Sequence, residues 1–233
     1  MKLLTVGNPK TEKSTQFGYL TGILHLAPVR LGRRNNVCEF ASAGCIKACL
    51  NTAGRGGMFK KGANTNKVQE ARIRRTQLLF DDSNTFQMLM LKDIEALADM
   101  ADKNNLGPCL RLNGTSDIDW FGDYPAVYNH AKDLGVEIYD YTKDLFKINN
   151  NTDSDYHLTY SRTELDSDEA ITDLLRSGIS VAIVFRDYPP TQYLGHKVIN
   201  GDLHDLRFLD PSGVIVGLKA KGRAKKDTTG FVI

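Results

Sequence analysis

Cys38, Cys45 and Cys49 fall within one twelve-residue stretch, and thiolates so close in sequence form a metal-binding or redox-active set. Their spacing, C-x6-C-x3-C, lacks the two matched pairs usual for structural zinc. Cysteine sulfurs in short spaced runs are instead the ligands of iron–sulfur clusters. Cys45 and Cys49 stand four apart and share a face if the segment turns helically, and Gly44 permits the tight backbone such a loop needs. Three readings stay open: an iron–sulfur cluster, which the spacing favours; zinc completed by a distant Cys or His; and buried or redox-active thiols without metal. Cys109 opens a separate apolar run and is expected to be a buried structural thiol rather than a fourth ligand.

Other residues able to bind ligands or move protons come directly after apolar runs. They are Asn113-Gly114-Thr115-Ser116-Asp117, Thr142-Lys143, Ser161-Arg162-Thr163-Glu164, Gly201-Asp202 and Lys219-Ala220-Lys221. If those runs are parallel strands, all five sets map to the carboxyl edge of one sheet, where such folds place their sites. Polar loops and helix caps would account for Asp117 and Asp202 equally well. Asn51 to Gly57 is a glycine-rich turn that could offer N–H groups to an anion, with Arg55 as partner, or simply connect two elements. His25 lies inside an apolar run, and the remaining histidines show no metal-ligand spacing to one another.

The elements that would position these residues are legible from periodicity. Seven β-prone runs occur at 22–27, 110–113, 137–141, 157–161, 181–185, 197–200 and 214–218. Helical period marks 67–80, 85–103, 125–134 and 168–176; Ser83 and Ser167 suit N-caps, and Gly135 and Gly178 suit helix ends. Alternating strands and helices predict a mainly parallel α/β sheet, curled into a partial (β/α) barrel. No linker or repeat divides the chain, so residues 1–233 are expected to form one domain, with the cysteine cluster loop at 37–57.

A hydrophobic fraction of 41% and a formal charge of +2 fit an ordinary globular protein, and the charge alone does not call for nucleic acid. The basic residues are unevenly placed: eleven lie between Arg30 and Arg75 and five between Lys219 and Lys226. Solvated helix faces explain such charge runs, and so does a site for an anion or a nucleic-acid backbone. The apolar start of the chain breaks at Gly7-Asn8-Pro9-Lys10, too early for a signal peptide or a membrane span. The cytoplasm is the expected compartment, and there clustered cysteines bind metal or do redox chemistry more often than they form disulfides.

The runs Leu24-His25-Leu26-Ala27-Pro28 and Val37 to Gly56, with all three cysteines, resemble the bacteriophage gene product 88 domain family. Arg111 to Asp117, Tyr139 to Lys143 and Val198 to Gly222 extend the resemblance over nearly the whole chain. It implies a phage or prophage origin, hence a host-cell cytoplasm, and a single domain. A three-cysteine loop after the first strand of a barrel is also similar to the radical S-adenosylmethionine enzymes, whose usual spacing is C-x3-C-x2-C. That similarity implies a [4Fe–4S] cluster on Cys38, Cys45 and Cys49, with one iron left to chelate S-adenosylmethionine. In that reading Asn113, Ser116 and Asp117 bind cofactor or substrate, while Lys143, Glu164, Asp202 and Lys219 supply hydrogen bonds and proton transfers around an unknown small or macromolecular substrate. The competing reading is an iron–sulfur or zinc module that binds nucleic acid or a host protein without catalysis, and a third is electron transfer.

Overall fold

Alternating apolar runs and amphipathic stretches fold into one nine-stranded sheet with helices packed against it. The computed structural model describes residues 1–7, 9–29, 31–32 and 35–233. Asn8, Arg30, Arg33 and Arg34, which figure in the expected chain start and basic first third, lie outside the described residues.

The strands are β1 (Leu4–Thr5), β2 (Tyr19–Leu24), β3 (Gly107–Arg111), β4 (Glu137–Thr142), β5 (Tyr156–Ser161), β6 (Val181–Phe185), β7 (Gln192–Tyr193), β8 (His196–Asn200) and β9 (Ile215–Lys219). Their order is β1-β2-β3-β4-β5-β6-β9-β8-β7. Every pairing from β2 to β8 is parallel, and only the two-residue edge strands β1 and β7 run antiparallel to their neighbours. The sheet is open, with β1 and β7 as its two edges, where a closed barrel would pair them.

The helices are α1 (Pro9–Thr15), α2 (Ala43–Ala48), α3 (Lys67–Asp81), α4 (Ser83–Lys103), α5 (Trp120–Asp123), α6 (Pro125–Asp133), α7 (Leu145–Asn149) and α8 (Asp168–Arg176). In α4 the buried Phe86, Met90, Ile94, Leu97 and Ala101 recur every three or four residues, forming one apolar stripe. That stripe packs on Leu24, Leu110 and Ile138 of the sheet together with Trp120 and Tyr128. Each such side chain taken from water contributes about 1.5–3 kcal/mol. The cap of α4 is Asp82, which accepts from the Thr85 N–H at 3.0 Å, so Ser83 is the first helical residue rather than the cap. Ser167 caps α8 through the Ala170 N–H at 3.2 Å, as its position predicts.

Side chains alternate across a strand, so Cys109 and Arg111 lie on the face of β3 opposite Leu110. The segment 202–210, which follows β8, covers that face. Leu206 and Phe208 pack with Cys109, Tyr139 and Tyr19, and Asp205 pairs with Arg111 at 2.8 Å. Among the described residues no helix is long and apolar enough to cross a membrane.

Candidate metal centre

The three clustered cysteines sit beyond the carboxyl end of β2, on and beside the short α2. Ser42 caps that helix, its hydroxyl oxygen accepting from the Cys45 N–H at 3.1 Å. Cys49 closes the helix, and its sulfur accepts from the Asn51 N–H at 3.5 Å. Cys38 precedes it, with its thiol 3.6 Å from the Thr115 carbonyl oxygen. A helix of six residues has little stability of its own, so the tertiary partners must hold it.

Those partners come from three directions. Glu164, after β5, accepts from the Ser42 hydroxyl at 2.6 Å and from the Gly44 N–H at 2.7 Å. Gly44 has to lack a side chain, because a Cβ there would stand 2.5 Å from Glu164 and 2.6 Å from both Phe231 and Thr229. Helix α3 turns a polar stripe inward: Gln69 donates to the Gly56 carbonyl, Arg72 donates to Asn51, and Thr76 accepts from the Ala27 N–H. The 222–226 turn packs on α2 and on the 50–52 turn from the C-terminal side.

Burial pushes the Cys38 thiol up to about 12, and the charges of Cys49 and Cys45 add to the rise. Burial also raises Cys45, against the pull of Lys143, and raises Cys49, against the Asn51 N–H and the nearby Arg72 and Lys143. The thiols therefore act on one another electrostatically and stay protonated at neutral pH unless a cation replaces their protons. No disulfide joins any of the four cysteines. Burial lowers Lys143 and Arg72, each of which faces a cysteine that favours its charge. Among the described residues no group of three or more His, Cys, Asp or Glu side chains is placed so that it could hold a metal ion, so the expected convergence of Cys38, Cys45 and Cys49 on one centre is not seen. The three sulfurs, a donor type that soft metals take, lie on one loop and are each partly buried, with Lys143 near Cys45 and Cys49 and Arg72 near Cys49.

Lys143 lies beside this group, its ammonium donating to the Ser161 hydroxyl at 2.6 Å and to the Ser161 carbonyl at 3.0 Å. Asp117 accepts from the Lys143 N–H at 2.8 Å and from the Lys147 ammonium at 3.2 Å. Asn113 is engaged on all sides, accepting from Ser116, the Ile118 N–H and Trp120 and donating to Asp140 and the Ile118 carbonyl. Glu164 is drawn below its ordinary value, as the Ser42 and Gly44 hydrogen bonds outweigh the opposing effect of burial. Asp202 accepts from the Lys219 N–H and the Lys221 ammonium, and the Lys219 ammonium lies 3.6 Å from the centre of the Tyr188 ring. The residues expected to serve a ligand are thus mostly engaged within the protein, and of them Lys143, Asp117 and Glu164 lie near enough to Cys45 to act on its charge.

A cleft of about 360 Å³ is lined by Val37, Glu39, Phe40, Phe80, Asp119 and Tyr124 among others, residues that flank Cys38 in the chain without Cys38 itself. Arg72 reads as one of several basic residues of the 67–80 stretch, and Ser42 and Lys147 stand at no spacing that marks chemistry, so none of the three is distinguished in the sequence. Cys109 is fully buried in β3, 3.1 Å from the Thr21 hydroxyl, and burial pushes its thiol up to about 12.

A sequence model of the family described as Gene product 88 matches residues 2–233. No curated protein and no solved structure matches the chain.

Proposed function

The chain belongs to the gene product 88 family, and from that premise we propose that it is a phage iron–sulfur protein. Cys38, Cys45 and Cys49 would hold a [4Fe–4S] cluster whose fourth iron is open to a small molecule, S-adenosylmethionine in a radical-enzyme reading. What supports this reading is the placement of three undisulfided thiols on and beside α2 at the carboxyl edge of a parallel sheet, with Lys143 near Cys45 and Cys49 and Arg72 near Cys49. Such a cluster supplies one-electron chemistry when bound. The chain's own part is to hold α2 through Glu164 and to place the Lys143 ammonium where it donates hydrogen bonds. The Glu39 and Phe40 cleft, whose lining flanks Cys38 in the chain, would then receive a substrate. The open sheet, with 202–210 laid across one face, is read as a partial barrel.

A second reading, a metal-stabilised binding module without catalysis, is favoured by the engagement of Asn113, Asp117 and Asp202 in internal hydrogen bonds. Anaerobic purification separates the readings. We expect brown protein with about four iron and four acid-labile sulfide per chain, and an electron paramagnetic resonance signal on reduction that S-adenosylmethionine alters. Colourless protein with stoichiometric zinc would overturn the cluster. An iron–sulfur signal indifferent to S-adenosylmethionine would favour the second reading.

A further inference from the structure

The two basic segments that stand at opposite ends of the sequence meet around the cysteine loop. The 222–226 turn packs directly on α2 and on the 50–52 turn. At Gly222 the chain comes so close that a Cβ would lie 3.1 Å from the Thr52 carbonyl and 3.2 Å from Ala53. This contact brings Arg223, Lys225 and Lys226, all exposed, beside the exposed Lys47 of α2. Lys60 and Lys61 are exposed on the stretch that follows the cysteine loop, whose base Asn66 anchors by donating to the Gly56 and Met58 carbonyls at 2.9 and 3.0 Å.

Of the acidic groups near this rim, Glu164 and Asp227 are turned inward, while the exposed Glu70 accepts from the Thr65 hydroxyl at 3.2 Å. Glu164 is held by Ser42 and Gly44, and Asp227 accepts from Thr229 and the Val232 N–H. Asp202 neutralises Lys221, whereas among the described residues no ion pair engages the six cations named above. The surface is therefore positive out of proportion to the chain's net charge of +2. Leu50, Met58 and Phe59 are exposed within the same stretch, at 51%, 72% and 41%, and offer apolar contact between the cations. An extended row of cations with interspersed apolar side chains suits a polyanion of regular charge spacing with flat bases, rather than a single small anion.

We infer that the rim formed by residues 47–61 and 222–226 binds the phosphate backbone of a nucleic acid, laid across the mouth of the cysteine loop. The inference does not depend on which metal the thiols carry, and in the enzymatic reading it makes nucleic acid the substrate class.

Fluorescence anisotropy with labelled single-stranded DNA, single-stranded RNA and duplex DNA of equal length tests this, using the full anaerobically prepared protein between about 50 and 300 mM NaCl. Binding should weaken steeply with salt, and the arm with the tightest binding identifies the strand form. Each phosphate contact contributes about −0.7 to the log–log salt slope for a single strand and about −0.9 for a duplex. The combined R223A/K225A/K226A variant should bind at least about tenfold more weakly at 100 mM salt and with a slope shallower by about 2. The separate K60A/K61A variant should lower the slope by about 1.5, and both should keep wild-type metal content and circular dichroism. No micromolar binding to any of the three nucleic acids at the lowest salt, as for a rim that serves an acidic protein, would overturn the inference. So would binding whose slope neither variant changes. Colourless protein that still binds would defeat the cluster alone, and brown protein that binds nothing would defeat the rim alone.

Discussion

Four cysteines divide into two chemical situations. Cys38 and Cys45 feel the charge of Cys49, and Cys45 and Cys49 feel that of Lys143, whereas Cys109 is influenced by Asp205 and Glu137 and shares a contact with Thr21. Replacing Cys45 with Ala should abolish iron incorporation, and Cys109→Ser should leave about four iron per chain; iron analysis of the two variants side by side checks this. Iron lost with Cys109→Ser would mean that this thiol reaches the centre. The sequence separates the two situations because three cysteines lie in one loop and the fourth lies inside an apolar run. It does not reveal that Asn113 would be saturated by Ser116, Ile118, Trp120 and Asp140, since those partners are set by how the β3 loop folds back. Asp140 carries its own consequence. Burial pushes its carboxyl from 3.8 up to about 7, despite opposing contributions from Arg111, the Asn113 N–H and Tyr156. Between about pH 4 and 7 the folded protein retains a proton that the unfolded chain has released, so this group's contribution to stability declines as pH rises through that window. Urea midpoints should therefore fall more between about pH 5 and pH 8 in the wild type than in Asp140→Asn, which has no proton to lose. Equal slopes in the two proteins would place the Asp140 titration outside that window.

Among the elements, the seven longer strands and four longer helices correspond to the periodic runs of the chain, because each buries one face and so writes its period into the sequence, although β2 and β3 begin and end two or three residues before the expected 22–27 and 110–113. The edge strands β1 and β7 have two residues each, and α2 has six, so none of them repeats its period often enough to mark a face in the sequence. What stabilises α2 is also distant in sequence: Glu164 lies 120 residues from the Gly44 N–H it accepts from. Helix α3 is a further case, since its inward stripe of Gln69, Arg72 and Thr76 reads as a solvated face until the cysteine loop is seen to bond to it. Gly44→Ala is the sharpest test of α2 as a clamped element. The added methyl has to displace Glu164, Phe231 or Thr229, at a cost of about 1–3 kcal/mol. Denaturant unfolding of the metal-free protein should show that loss, and hydrogen exchange should rise within 42–52. Unchanged exchange there would mean that the clamp is not what orders the loop.

At the scale of the whole molecule, the contacts that complete the fold join segments with no shared sequence signal. The segment 202–210 leaves β8 and crosses the face of β2 to β5, where Phe208 packs against Tyr19, Tyr139 and His157. At its centre Arg111 donates to Asp205 at 2.8 Å, with the two side chains 10% and 1% exposed. Burial alone would disfavour the Arg111 charge, and Asp205 reverses that, so the guanidinium is held more firmly cationic than usual. The Arg111 guanidinium also stacks 4.6 Å from the centre of the Tyr141 ring, whose hydroxyl donates to Asp205 at 3.4 Å. A pair this buried contributes little net stability relative to apolar residues of the same shape, yet removing one member leaves the other charged and unsolvated. Asp205→Ala should therefore destabilise the protein by about 3–5 kcal/mol and raise hydrogen exchange in β3 and β4. The double variant R111M/D205L, with neither charge, should recover most of that loss. Denaturant unfolding of the two variants beside the wild type measures both. If Asp205→Ala unfolds within about 1 kcal/mol of the wild type, the ion pair is not buried in solution. The 202–210 segment would then be a loosely held flap rather than the cover of that face.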